Sequence, residues 1–231
     1  MSITLAGLSF ASFIFPRLDT GKYDEFQKNT NGLPDLRNPD HRKNLLVFLN
    51  GWGCRNIAKE YHNLASNEIK EWYEKYHVAI PDTTKNLWEL TEKELTSIDS
   101  AFDDLASRII ATKKQNGRNV TFGPIAAAKM LFALKPKALI AWDNKIREKY
   151  VGKNGPYRNF LEKMRGLILE IRKQCEQHGF KLHEIPLKLN RPDVTIPKLI
   201  DEYNWITITN GLSPTSEDFH NWDKWSIVAS S

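Results

Sequence analysis

An all-α protein is predicted by three observations. Apolar residues recur at three- and four-residue spacing over most of the chain, and Pro, Asn, Asp and Thr stand where helices would begin. No alternating pair of strands is evident outside the N-terminal region, which leaves room for one. Asn38-Pro39-Asp40 supplies an N-cap with Pro in the first turn, Leu45, Leu46, Phe48 and Leu49 follow, and Gly51 ends that helix. A second helix is predicted over Asn67 to Tyr76 and a third over Leu87 to Leu95. Ile98, Phe102, Leu105 and Ile109 make one apolar face of a helix from Ser97 to Ala111. Phe160, Met164, Leu167, Ile171 and Cys175 line a long helix closed by Gly179 at C′. Thr195 to Ile206, with Pro197 in its first turn, is the last predicted helix. Asp19 to Pro39 and Phe180 to Pro192 read as surface loops, and the tail after Gly211 as irregular.

The 231 residues suffice for one generous domain or for two small lobes. An apolar fraction of 41% with seven Trp indicates a packed globule rather than a disordered chain. A net charge of +5 and a pI near 9.1 are mildly basic and favour a polyanionic partner. Cys54 and Cys175 form neither a disulfide framework nor a metal-ligand set, which suits reduced thiols in the cytoplasm or another intracellular compartment. The six His residues include no metal-spaced pair, and no HExxH or P-loop occurs. Metal is therefore not expected, and zinc-hydrolase and nucleotide-hydrolase chemistry fall away. The apolar run from Ile3 to Phe15 lacks basic residues before it and a cleavage site after it. It is also too short to span a bilayer, so a buried first element is expected and no membrane partner.

The informative stretch runs from Lys113 to Tyr150. Lys113 to Phe122 is a polar turn after the Ser97–Ala111 helix, and Gly123-Pro124 opens another helix through Leu134, propagated by Ala126 to Ala128. The N–H groups at such a helix start make an anion site, with Lys113, Lys114 and Arg118 beside it. Beyond an apolar linker, Ala138 to Trp142, Asp143 heads a helix from Asn144 to Tyr150; read alone, it is an N-cap.

This stretch resembles the hairpin and catalytic segment of the helix-hairpin-helix (HhH-GPD) DNA glycosylase superfamily, which includes endonuclease III and adenine glycosylase. Gly123 matches the second hairpin glycine, and Asp143 follows it by twenty residues, as the aspartate does in those two enzymes. Ala141-Trp142-Asp143-Asn144-Lys145-Ile146-Arg147 fits the same template. The resemblance covers about forty residues, within a segment taken as 97–150 of one unit spanning 1–231. It implies two helical lobes with the helix-hairpin-helix motif and the catalytic Asp at the cleft between them. The first hairpin glycine is replaced by Thr121, and Ile125 occupies the position of the Schiff-base lysine. The four cluster-ligating cysteines are also missing, so no iron-sulfur cluster and no other cofactor is expected.

The resemblance implies a monofunctional DNA N-glycosylase that flips a base from the duplex and hydrolyses its N-glycosidic bond, leaving an abasic site without lyase cleavage. Asp143 is its expected catalytic residue, steadying the positive charge that develops on the sugar. Thr121, Gly123, Ile125, Lys113, Lys114, Arg118, Lys145 and Arg147 are its candidate DNA contacts, although lysines and arginines of this kind also form ordinary solvated faces. Trp142, Trp52 and Lys129 are candidates for the base pocket; Trp72, Tyr73 and Trp88 are further aromatics, and rings at helical spacing are more often core than pocket. The partner is DNA and the protein is expected to be a monomer. Its work is base-excision repair or antiviral defence against phages with modified cytosines. The alternative is a helix-hairpin-helix protein that binds DNA without catalysis, or an interaction module in which Asp143 only caps a helix.

Overall fold

The computed structural model of the chain describes residues 3–113 and 117–227. It is all-α. The helices in order are α1 (Leu5–Leu18), α2 (Lys22–Asn29), α3 (Pro39–Gly51), α4 (His62–Tyr76) and α5 (Glu92–Ser107). Strands β1 (Ile109–Thr112) and β2 (Asn119–Thr121) follow, then α6 (Gly123–Leu134), α7 (Asn144–Val151) and α8 (Tyr157–Gln177). The chain continues through α9 (Ile185–Lys188), α10 (Ile196–Asn204), a π-helical turn at Trp205–Thr209, α11 (Ser216–His220) and α12 (Trp222–Trp225). No helix among the described residues is long and apolar enough to cross a membrane.

Several boundaries differ from the sequence expectations, each for a local reason. The predicted Leu87–Leu95 helix is broken into a 3₁₀ turn at Leu87–Glu89 and the start of α5. The break is set by a capping box, in which Thr91 accepts from the Glu94 N–H and Glu94 accepts from that of Thr91. At its other end α5 stops at Ser107 rather than Ala111, because the β-branched run Ile109, Ile110 and Thr112 pairs as a strand with Asn119–Thr121. These are the only strands among the described residues, and Leu5–Leu18, in the N-terminal region left open to strands by the sequence, is helical. The expected loop Asp19–Pro39 contains α2, which buries Tyr23 and Phe26. Phe180–Pro192 likewise holds a 3₁₀ turn and α9, and two short helices replace the irregular tail.

The chain divides into two compact units. One is built from Thr20–Thr83 and Leu90–Lys135. Its core is α5 packed on α6, with Ile98, Phe102 and Leu105 facing the small-residue helix, and α3 and α4 completing the layer. Trp72 is fully buried there, and its Nε1 donates to the Ala101 carbonyl at 2.8 Å. The indole therefore brings no unsatisfied N–H into the core.

The other unit takes in residues 3–19, 84–89 and 136–227 among those described. Here α10 lies against α1, and all nine of its residues are buried, charged ones included. Lys198 sits 3.3 Å from both Asp201 and Glu202, and the Arg191 guanidinium pairs with both oxygens of Glu202 at 2.5 and 2.8 Å. Two cations meet two anions, so the buried set is neutral, as burial of charge requires. Arg191 also reaches Ser12, donating to its hydroxyl at 2.8 Å and approaching its carbonyl at 3.5 Å. That carbonyl lacks its usual partner, because the residue four positions on is Pro16, which has no N–H.

Helix α8 contributes Tyr157, whose hydroxyl donates 2.7 Å to the Ile140 carbonyl. Burial pushes this phenol far above its ordinary pKa, so it remains a donor. Tyr157→Phe leaves that carbonyl without its donor and is expected to cost about 1–3 kcal/mol in urea unfolding. An unchanged midpoint would show that the carbonyl finds another donor.

Candidate functional site

The sequence-derived candidates are divided between the two units. In the first, α5 and α6 are joined by an antiparallel hairpin, with Ile109 paired to Thr121 and Thr112 to Asn119. A β-ribbon thus replaces the short polar turn expected over Lys113–Phe122, and Lys113 N–H donates to the Arg118 carbonyl at 2.9 Å near its tip. Thr121 is a strand residue outside the left-handed region, so it does not reproduce a hairpin glycine. Gly123 does adopt that conformation, at φ 72°, as the first residue of α6. Asn56 fixes this junction, its Nδ2 donating to the carbonyls of Thr121 and Phe122 at 2.9 and 3.1 Å.

The helix start of α6 presents the N–H groups of Gly123, Ile125 and Ala126, positions without intrahelical acceptors, while Pro124 contributes none. Lys113 and Arg118 are exposed on the ribbon, and Ile125 is half-buried. Lys114 lies outside the described residues.

The root of the ribbon is held electrostatically. Arg108 bonds Asp104 at 2.7 Å and Glu68 at 3.0 Å, tying the end of α5 to α4. Burial raises the Asp104 carboxyl, but its bonds to Arg108 and Lys75 outweigh burial and leave it below the usual carboxylate value.

Lys129 does not project into open space. Its ammonium donates to the Trp52 carbonyl and lies 5.9 Å from the centre of the Trp52 ring. Trp52 in turn stacks on Phe132 at 5.9 Å and meets Phe48 at 4.7 Å and Tyr23 at 5.8 Å. The pair therefore braces the end of α3 against α6, and Trp52 keeps only partial exposure.

In the second unit, Ala138 to Trp142 is a fully buried run. Trp142 is 1% exposed, packed edge-on against Tyr157 at 5.1 Å and against Phe160 at 5.0 Å. This corrects its assignment to a base pocket: a ring enclosed by core aromatics has no face left for a nucleobase. Trp72 is core for the same reason.

Asp143 caps α7, its Oδ1 accepting from the Ile146 N–H at 2.9 Å. Its other oxygen, Oδ2, accepts from the hydroxyl of Thr209, the last residue of the π-helical turn. The carboxylate is half-buried and held by two donors from two elements.

Lys145 is exposed, and its ammonium donates to the Thr209 carbonyl at 2.8 Å. Arg147 is half-buried above Trp142 at 5.8 Å, and its buried Nε has no hydrogen-bond partner among the described residues. Tyr150 donates to Asn204 Oδ1 at 2.8 Å, which ties α7 to the end of α10 as well. Among the described residues no group of three or more His, Cys, Asp or Glu gathers as a metal site.

Thr209 and Asn56 escaped the sequence reading. Thr209 stands 66 residues beyond Asp143, in a β-branched run that signals neither a π turn nor a partner. Scans against protein-family models, curated proteins and solved structures find no match.

Two outcomes test this geometry. Nothing lies within 4 Å of a Cβ built on Gly123, so Gly123→Ala carries only the left-handed backbone penalty, about 1–2 kcal/mol in chemical denaturation. An unaltered midpoint would contradict the positive φ. Because the Asp104 carboxyl is lowered in the folded state, its contribution to stability is present above about pH 4 and is lost as pH falls through the folded value. Asp104→Asn should therefore flatten the acid limb of stability measured between about pH 2 and 6.

Proposed function

We propose that the chain is a monofunctional DNA glycosylase that hydrolyses the N-glycosidic bond of a flipped damaged or modified base. The observation that carries this reading is Asp143, a doubly restrained, half-buried carboxylate twenty residues after the left-handed Gly123. A carboxylate has four lone-pair sites, so two donors leave each oxygen free to face a reacting group. As the bond to the base lengthens, positive charge grows on the sugar ring, and a fixed carboxylate stabilises it without reorganising. The same group orients the water that adds to the anomeric carbon. The water oxygen bonds to that carbon and gives up a proton, the base departs with the electron pair of the broken bond and takes up a proton, and an abasic site remains.

Grip on the DNA backbone falls to the α6 start and to Lys113 and Arg118, whose N–H groups and charges suit phosphate. Ile125 at the family's lysine position supports hydrolysis rather than Schiff-base chemistry, since it has no amine to attack the sugar. Base-excision repair and antiviral defence both lie within this reading, and the released base decides between them.

A second reading, DNA binding without catalysis, is favoured by one observation: both Asp143 oxygens also serve structural bonds. Asp143→Asn separates the two, because its Oδ1 still accepts from the Ile146 N–H and preserves the cap. Oligonucleotides carrying damaged or modified bases, and phage DNA with modified cytosines, are incubated with the protein and then cleaved with alkali at abasic sites. The wild-type chain is expected to release one class of base. The variant should be slowed by about 10²–10³-fold with DNA affinity retained. Tight binding with no abasic product from any substrate would establish the non-catalytic reading.

A further inference from the structure

We infer that Thr209 is a positioning residue, which fixes the plane of the Asp143 carboxylate; the inference rests on Asp143 being the catalytic group. A helix cap needs only one oxygen, and Ile146 N–H already engages Oδ1. With that bond alone the carboxylate could still turn about its last torsion, whose energy profile is broad. The Thr209 hydroxyl occupies Oδ2 from a different element and removes that freedom.

The surroundings of Thr209 are unusual for a threonine at a helix end. Thr207, two residues earlier, spends its hydroxyl on the Tyr203 carbonyl at 2.7 Å, the ordinary back-bond of a helical threonine. Thr209 instead donates across to α7. The π-helical turn makes this possible. Closed by the Asn210 N–H on the Trp205 carbonyl at 3.0 Å, it holds one residue more than an α turn and so changes which side chain meets α7.

The backbone of Thr209 is clamped as well, its carbonyl accepting from Lys145. Lys145 lies on α7 two residues after the aspartate, so α7 and the π turn hold each other at both the hydroxyl and the carbonyl of one residue. Lys145 therefore acts as a strut for the carboxylate's second donor, beside its candidacy as a phosphate contact.

The test compares Thr209→Val, which keeps the shape and deletes the donor, with Thr209→Ser, which keeps the donor. In single-turnover excision the Val variant is expected to be about 10–100-fold slower, the loss of one bond to a charged group, with DNA affinity within about twofold. The Ser variant should recover to within about threefold of wild type. An activity-independent readout accompanies it: the Asp143 carboxyl ¹³C and Ile146 amide resonances should move in Thr209→Val and remain near wild type in Thr209→Ser.

Excision by the Val variant at the wild-type rate, or an Asp143 signal indifferent to it, overturns the inference. Equal slowing by Val and Ser also overturns it, because the donor would then not be what matters. A wild-type chain that releases no base while its carboxyl signal still moves in Thr209→Val defeats the glycosylase reading, and the restraint itself stands.

Discussion

The first turn of a helix leaves N–H groups without partners, and at α7 the acceptor that answers them is the side chain of Asp143. Much of the second unit's local order is arranged around that cap. The buried run before it is anchored by the Tyr157 bond to Ile140, so Asp143 leaves a fixed backbone. The bonds of Tyr150 to Asn204 and of Lys145 to Thr209 then bind α7 to the end of α10 and to the π turn that follows it. A side chain that would otherwise sample several orientations is thereby limited to one. Capping and chemistry are compatible uses of the same carboxylate, because the cap consumes acceptor capacity that the group has in excess.

The complete burial of α10 is what makes it a useful platform. Nine consecutive buried residues, including Lys198, Asp201 and Glu202, are tolerable only because Arg191 completes a neutral set. Removing one partner of such a set would strand a charge in the core, so the helix has little latitude to shift. The π turn that carries Thr209 grows directly from this helix and inherits its placement.

Features written by neighbouring residues were legible in the sequence. Asn38-Pro39, Gly123-Pro124, Asp143 and Thr195 before Pro197 each start a helix as predicted, since a cap or a fixed φ acts within four residues. Gly179, at φ 76°, closes α8 on the same principle. What escaped depends on residues far apart. Ile109 to Ala111 continue the apolar periodicity of α5 and so read as helix in the sequence, but pairing with Asn119–Thr121 claims them for a strand. Trp142 adjoins the candidate carboxylate in sequence, yet it closes a wholly buried run, and its ring packs on Tyr157 and Phe160 from another element. Thr209 had no local mark, because its role is defined only by a partner on another element.

The order of segments along the chain has a consequence for how the molecule comes into being. Every residue of the unit containing α2 to α6 precedes Pro136, so that unit can close while the remainder is still being synthesised. The other unit pairs α1 with α10, elements far apart along the chain, and that pairing cannot form until α10 has been synthesised. The apolar face of α1 must wait through that interval uncovered, which makes the first helix the point at which a chaperone would most usefully act during synthesis.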